Sequence, residues 1–410
     1  MTPYNTCTLS NGLRIIHLPV ASPVVYCGYQ IAVGSRHELP GEEGLAHFCE
    51  HTTFKGTARR TSLQILNALE RVGGDLNAFT NKEDTVFYAA IQREHIARAV
   101  DLLTDMVFCS QYPQSEVEKE VEVVCDEIES YNDSPAELIY DEFENLLFPN
   151  HPLGHNILGT ADQLRTYTSA HLQRFARRHY RPENMVFFAY GDIHFGRLVK
   201  LLSQALPAAT AAPERSAAPS IVLNGAPCAA LHEIRMNTHQ AHVMTGTVAY
   251  HLQHERRMAL YLLNNILGGP AMNARLNLSL RERNGLVYTV DSAMATYSDT
   301  GCWAVYFGCD PHDVGRCKRL VRRELDRMME RPLSERQLAA AKRQLKGQIA
   351  IACDNHEQFA LDFGKSYLHN GRERDIDHLF AQIDALTADA LQAVAQELFA
   401  PDRLLTLTIS

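Results

Sequence analysis

Two histidines four residues apart, His47 and His51, are the side chains in this sequence best placed to do chemistry. They lie in Gly44-Leu45-Ala46-His47-Phe48-Cys49-Glu50-His51-Thr52-Thr53-Phe54-Lys55-Gly56-Thr57. On a helix, positions i and i+4 project from one face. Two imidazoles there can hold one metal ion, and zinc is the usual occupant of such a site. Glu50 precedes the second histidine by one residue, so its carboxylate can reach a water on the metal without being a ligand. The order H-x-x-E-H inverts the H-E-x-x-H of the zincins. A catalytic zinc takes three protein ligands and keeps one position open for water, so a third ligand must come from elsewhere. The run from Glu116 to Glu129 offers several carboxylates, and Glu120 and Glu127 fall two helical turns apart, on one face. The plainer reading of the parts is a surface or core histidine pair and a solvated acidic helix. Cys49 points off the ligand face and reads as a small buried hydrophobe.

In combination, these residues resemble the M16 metallopeptidases, the family of the pitrilysins, insulin-degrading enzyme and the mitochondrial processing peptidases. The family places a Glu ligand 76 residues after the second histidine and another Glu seven before that ligand. Glu127 and Glu120 stand at those places here. The resemblance implies one Zn2+ per chain held by His47, His51 and Glu127, with Glu50 as general base. It makes Glu120 a carboxylate that orients a ligand histidine, a support that metal sites usually need.

A second landmark is Arg281-Glu282-Arg283-Asn284-Gly285-Leu286-Val287-Tyr288. M16 enzymes carry an Arg and a Tyr seven apart in the domain without metal. The resemblance assigns Arg281 and Tyr288 to the substrate backbone and the oxyanion, for which a guanidinium and a phenol are suitable donors. Without it, the stretch reads as a helix ending at Gly285, followed by a strand tyrosine. Gly73 to Thr80 resembles the family's substrate-binding edge strand, which implies substrate contacts from Asn77, Ala78 and Phe79. An edge strand has free backbone groups that can pair with an extended peptide. Glu137 and Asp141 share a helical face, at offsets from Glu127 where the mitochondrial processing peptidases carry an acidic pair that reads arginine. Such a pair suits a guanidinium, though a solvated acidic face has the same appearance.

The elements that must position these groups form an α+β pattern. Leu13 to Leu18, Val24 to Val33, Leu76 to Thr80, Thr85 to Ile91 and Met185 to Tyr190 read as strands. Helices are expected at the motif, Leu63 to Val72, Arg93 to Cys109, Ser115 to Tyr131, Ala136 to Leu147 and Ser169 to His179. Residues 207–220 are rich in Ala and Pro and read as a linker. On either side the sequence repeats at a constant offset of 219 residues: Tyr88 with Phe307, Ser115 with Ser334, Thr168 with Thr387, Pro182 with Pro401. The expected fold is therefore two homologous α/β-sandwich domains, 1–206 and 221–410, as the M16 resemblance also implies. The same offset carries Glu127 to Lys346 and Glu120 to Ala339, so the second domain cannot repeat the metal site.

The net charge of −9 argues against a general nucleic-acid binder. No apolar run is long enough to span a membrane, and the first residues have no basic-then-apolar pattern of a signal peptide. Ten cysteines without a C-x-x-C pair suit free thiols, and with the missing signal they give a cytoplasmic expectation. The resemblance implies peptide or unfolded polypeptide substrates small enough to enter a chamber. It also implies a homodimer: long M16 enzymes join four such domains, and two copies of this chain rebuild that set. The alternative is a non-catalytic M16-like subunit of a larger assembly, a class that usually loses the metal motif.

Overall fold

The computed structural model describes residues 4–206, 230–236 and 238–410, so the Ala/Pro-rich stretch 207–220 lies outside the described residues. The chain divides into two compact units. The first takes Met1–Glu129, His155–Pro219 and Ala352–Arg374; the second takes Ser130–Gly154, Ser220–Ile351 and Asp375–Ser410.

The first unit is built on six strands: β1 Asn5–Thr8, β2 Arg14–Leu18, β3 Val24–Ile31, β4 Asp75–Thr80, β5 Thr85–Gln92 and β6 Met185–Tyr190. They are ordered β1-β2-β6-β3-β5-β4. Only β2 and β6 run parallel; the other neighbours are antiparallel. The helices of the first half are α1 Leu45–Thr53, α2 Ser62–Glu70, α3 Ile96–Cys109, α4 Gln114–Asn132, α5 Pro135–Leu147, α6 Ala161–Leu164, α7 Ser169–His179 and α8 Phe195–Ala205. Side chains alternate across the sheet because successive Cβ atoms point to opposite faces. Met185, Phe187 and Ala189 of β6 join the core formed with α1, α3, α4, α7 and α8. Val186, Phe188 and Tyr190 face the other way. Both faces of β6 are buried, and its six residues are accordingly an unbroken apolar run.

Among the described residues the second unit has five strands: β7 Leu231–Ile234, β8 Ala241–Ala249, β9 Val287–Thr296, β10 Gly301–Cys309 and β11 Leu405–Ile409, ordered β7-β11-β8-β10-β9. The helices of the second half are α9 Arg257–Gly268, α10 Val314–Glu330, α11 Glu335–Ala352, α12 His356–Asn370, α13 Ile376–Ala385 and α14 Ala388–Leu398. The 219-residue repeat is a structural one. Thr168 and Thr387 are the N-caps of α7 and α14. Pro182 and Pro401 open the short 3-10 turns that lead into β6 and β11.

The two halves of the chain exchange one helix apiece. Helix α12, from the second half, covers the outer face of the first sheet through Ala360, Leu361, Phe363 and Leu368. Its repeat counterpart α5 covers the second sheet through Ile139, Phe143 and Leu147. Gly364 lets α12 lie close to the strands, since a Cβ there would meet Gln30 Oε1 at 2.5 Å. Polar contacts fix the seat: Gln30 Nε2 donates to Leu361 O at 3.0 Å, and Tyr88 donates to Glu357 at 2.7 Å. Among the described residues no helix is long and apolar enough to cross a membrane.

Asp84, in the β4–β5 turn, pairs with Lys365 of α12 at 2.7 Å. Burial works against its charge, but His369 and Lys365 outweigh it and hold the carboxyl down at about 2. A depressed carboxylate pKa contributes stability that is present above the unfolded value and lost as pH falls through the folded one. The contribution is about 1–2 kcal/mol, reduced because Lys365 is half exposed. Urea denaturation should show wild type losing that increment between about pH 4 and pH 2, while Asp84→Asn starts lower at neutral pH and changes less over the same interval.

Candidate metal centre

Helix α1 carries the two histidines, and its ends are fixed from outside. At its start, Gly44 adopts φ 85°, a left-handed conformation glycine takes at little cost. A Cβ there would meet Leu158 O at 2.5 Å. The free backbone N–H groups that begin any helix are met by Glu38, which accepts from Gly44 N at 3.0 Å and Ala46 N at 2.7 Å. His155 contacts the same carboxylate at 2.9 Å. Burial raises the pKa of Glu38, opposed by His155 and the two backbone donors. The inner side of α1, including Leu45, Phe48 and Cys49, lies in the core. Burial pushes the Cys49 thiol up to about 12, so at neutral pH it is a packed SH group.

The histidines converge on α4. Their ring centroids are 4.5 Å apart, and Glu127 Oε2 lies 3.9 Å from His47 Nε2 and 3.7 Å from His51 Nε2. One ligand atom from each of the three residues falls within 4.8 Å of the others, the one such group among the described residues. Burial, with the neighbouring His51, lowers His47 to about 3, so it is neutral and has a lone pair to give. Burial also disfavours a charged His51, but Glu120, Glu50 and Glu127 outweigh it and raise its pKa. A cation entering the site must therefore displace a proton there as pH falls. His51 Nδ1 is 3.0 Å from Glu120 Oε1, which leaves Nε2 directed at the common point. Two neutral imidazole nitrogens and one carboxylate oxygen, with that second carboxylate behind, fit a zinc ion in type and number.

Glu50 faces the same space and is 6% exposed. Burial raises it to about 7, with His51 and Thr80 pulling down and Glu127 pushing up. Thr80 donates to Glu50 Oε2 at 3.1 Å from the end of β4. Among the described strands β4 pairs only with β5, so Asn77, Ala78 and Phe79 lie on an edge strand, with Ala78 N–H donating to Asn77 Oδ1 at 2.9 Å. In the second unit, Tyr288 stands on β9, also an edge strand, and is 81% exposed. Arg281 lies in a π-helical turn, with its guanidinium 5.7 Å from the Tyr288 ring. Gly285 ends that turn at φ 61°. Glu137 and Asp141 lie on α5 of the second unit. Lys346, where the repeat would put a metal carboxylate, pairs instead with Asp384 at 2.8 Å. Glu38 and Thr80 were not identifiable from the motif. One acts from a loop six residues before the N-cap Gly44 of the helix it caps, and the other through strand alternation.

Residues 18–161 match the model of the insulinase family, peptidase family M16, and residues 166–345 match that of the M16 peptidase inactive domain. An uncharacterized zinc protease of Streptomyces coelicolor is 33% identical over 401 residues, 95% of this chain and 86% of that one. An uncharacterized zinc protease of Bacillus subtilis is 31% identical over 406 residues, 98% and 97% of the two chains. The fold is that of a protease from Helicobacter pylori, with TM-score 0.92 at 21% identity over 100% of this chain and 99% of that one. The chain belongs to the M16 peptidase family.

Metal analysis after chelation and reloading should find about one zinc per chain in wild type, as a three-ligand catalytic site requires. His51→Ala and Glu127→Ala should each retain almost none after gel filtration. Full retention by either variant would place the metal elsewhere.

Proposed function

We propose that this chain is a zinc-dependent endopeptidase acting on peptides and unfolded polypeptide segments. The observation that carries the reading is the convergence of His47, His51 and Glu127, whose ligand atoms lie within 4.8 Å of one another, with the buried carboxylate of Glu50 one residue from a ligand histidine. Burying an acid without full compensation costs stability, and a base poised near neutral pH is what proton transfer from water requires. The relatives named zinc proteases support the choice of metal.

Zinc bound by His47, His51 and Glu127 would supply the Lewis acidity that lets water attack an amide at neutral pH. The residues of the chain supply the rest. Thr80 occupies Glu50 Oε2, leaving Oε1 to take the proton of the attacking water and pass it to the leaving amine. A peptide strand added to the edge of β4 would run toward Thr80 and so alongside Glu50. Oxyanion stabilisation falls to Arg281 and Tyr288, and the exposure of Tyr288 leaves its phenol free to serve a second copy of the chain in a homodimer.

Glu50→Gln removes the base and keeps all three ligands. It should bind zinc as wild type does and lose about 10²–10⁴-fold in kcat on a quenched fluorescent peptide. Normal cleavage by this variant would exclude the mechanism. The dimeric arrangement has its own test. Glu50→Gln and Tyr288→Phe chains, each inactive alone, should regain activity when mixed under subunit exchange, because a mixed dimer holds one intact site. A mixture as inactive as its components would rule out sharing.

A further inference from the structure

Lys55 lies one helical turn beyond His51, just past the end of α1. Its Nζ is 2.6 Å from Glu120 Oε2, while Glu120 Oε1 is 3.0 Å from His51 Nδ1. One carboxylate of α4 thus holds two side chains that stand four residues apart at the end of α1. The Glu120 side chain is 6% exposed, whereas Lys55 keeps partial contact with water. His47 has no comparable support: its Nδ1 is buried and meets no hydrogen-bond partner among the described residues.

We propose that Lys55 is a positioning residue for the metal site, acting on His51 through Glu120. The inference rests on His47, His51 and Glu127 being the zinc ligands, and adds the element that holds one of them in place. The terminal torsion of a glutamate is broad and roughly two-fold, so one hydrogen bond to an imidazole does not fix the carboxylate plane. An ammonium on the second oxygen does fix it. With Oε2 occupied, Oε1 alone is presented to His51, which keeps Nδ1 as the donor and Nε2 as the lone pair facing the ligand point. The ammonium also provides the countercharge that a buried carboxylate needs, and it keeps Glu120 from swinging toward the cation as a competing ligand. His47 Nδ1 has no such partner, so of the two imidazoles it is His51 whose orientation depends on the Lys55–Glu120 contact.

The test uses the full-length chain at one fixed pH. Zinc affinity is read by competition with a chromophoric chelator, and ligand geometry by the visible spectrum of the cobalt(II)-loaded protein. Lys55→Met should weaken zinc binding about 10-fold or more, within the 10–100-fold range of such supporting contacts, and shift the cobalt bands. Lys55→Arg, which keeps a cation in reach, should restore most of both. The double variant with Glu120→Ala should be no worse than Glu120→Ala alone, because Lys55 acts only through that carboxylate. Circular dichroism checks that each variant is folded, and Lys55→Gln replaces Lys55→Met if the latter unfolds. Wild-type affinity and spectrum in the neutral variant, or additive losses in the double variant, would overturn the proposal. A wild-type chain that binds no zinc, or a His51→Ala chain that binds it equally well, would instead overturn the zinc-site reading.

Discussion

The convergence of two histidines and a glutamate depends on α1 being held at one rotation against α4. Two imidazoles at i and i+4 define a line, and a third ligand from another helix meets them only if neither helix can roll. Three restraints act together. Glu38 closes the first turn of α1 with two backbone hydrogen bonds, each contributing about 0.5–1.5 kcal/mol. The apolar side of the helix is packed into the core through Leu45, Phe48 and Cys49. At the far end, His51 and Lys55 share Glu120. Residues leading into α4 are tied to the same end of α1, with Ser110 Oγ donating to Thr53 O at 3.1 Å and Gln111 N to Gly56 O at 3.0 Å.

The duplicated fold shows what that arrangement requires, because one copy lacks it. Apart from β1, α2 and α8, the second half keeps among the described residues the strand and helix order of the first, and the caps of α7 and of the turn before β6. It replaces the metal carboxylate by Lys346, satisfied by Asp384. An edge strand is retained in both units. The exchange of α5 and α12 gives each sheet a cover from the other half, so neither linear half contains its own complete core. A chain cut between the halves would expose an apolar sheet face in each piece.

Much of this was legible in the sequence. Helical periodicity put His47 and His51 on one face and Glu120 and Glu127 on another, and the resemblance to M16 enzymes, not the spacing alone, singled out those two carboxylates among several in the same run. The strands from β2 to β6 and the principal helices fell close to their expected places by periodicity as well. β1 and α8 were not anticipated: one is four residues long with half its positions exposed, the other lies after a strand with no strong boundary signal. Helical periodicity in α5 shows that one face is buried but not against which sheet, since any apolar face of the right width would do. Thr80, Glu38 and Lys55 act through side chains that meet only after folding. No local pattern marks a threonine as the partner of a base, or a lysine as the partner of a buried carboxylate.

The central claim is the identity of the atoms around the metal, and X-ray absorption at the zinc edge of the loaded protein reads them directly. The account predicts a nitrogen- and oxygen-only shell at about 2.0–2.2 Å, with multiple scattering from two imidazoles, and almost no zinc edge from His51→Ala after gel filtration. Cys49 lies between the two histidines in sequence but is packed in the core as a neutral thiol, so the shell should hold no sulfur. A sulfur shell at about 2.3 Å, or scattering from fewer than two imidazoles in the wild-type shell, would contradict the account.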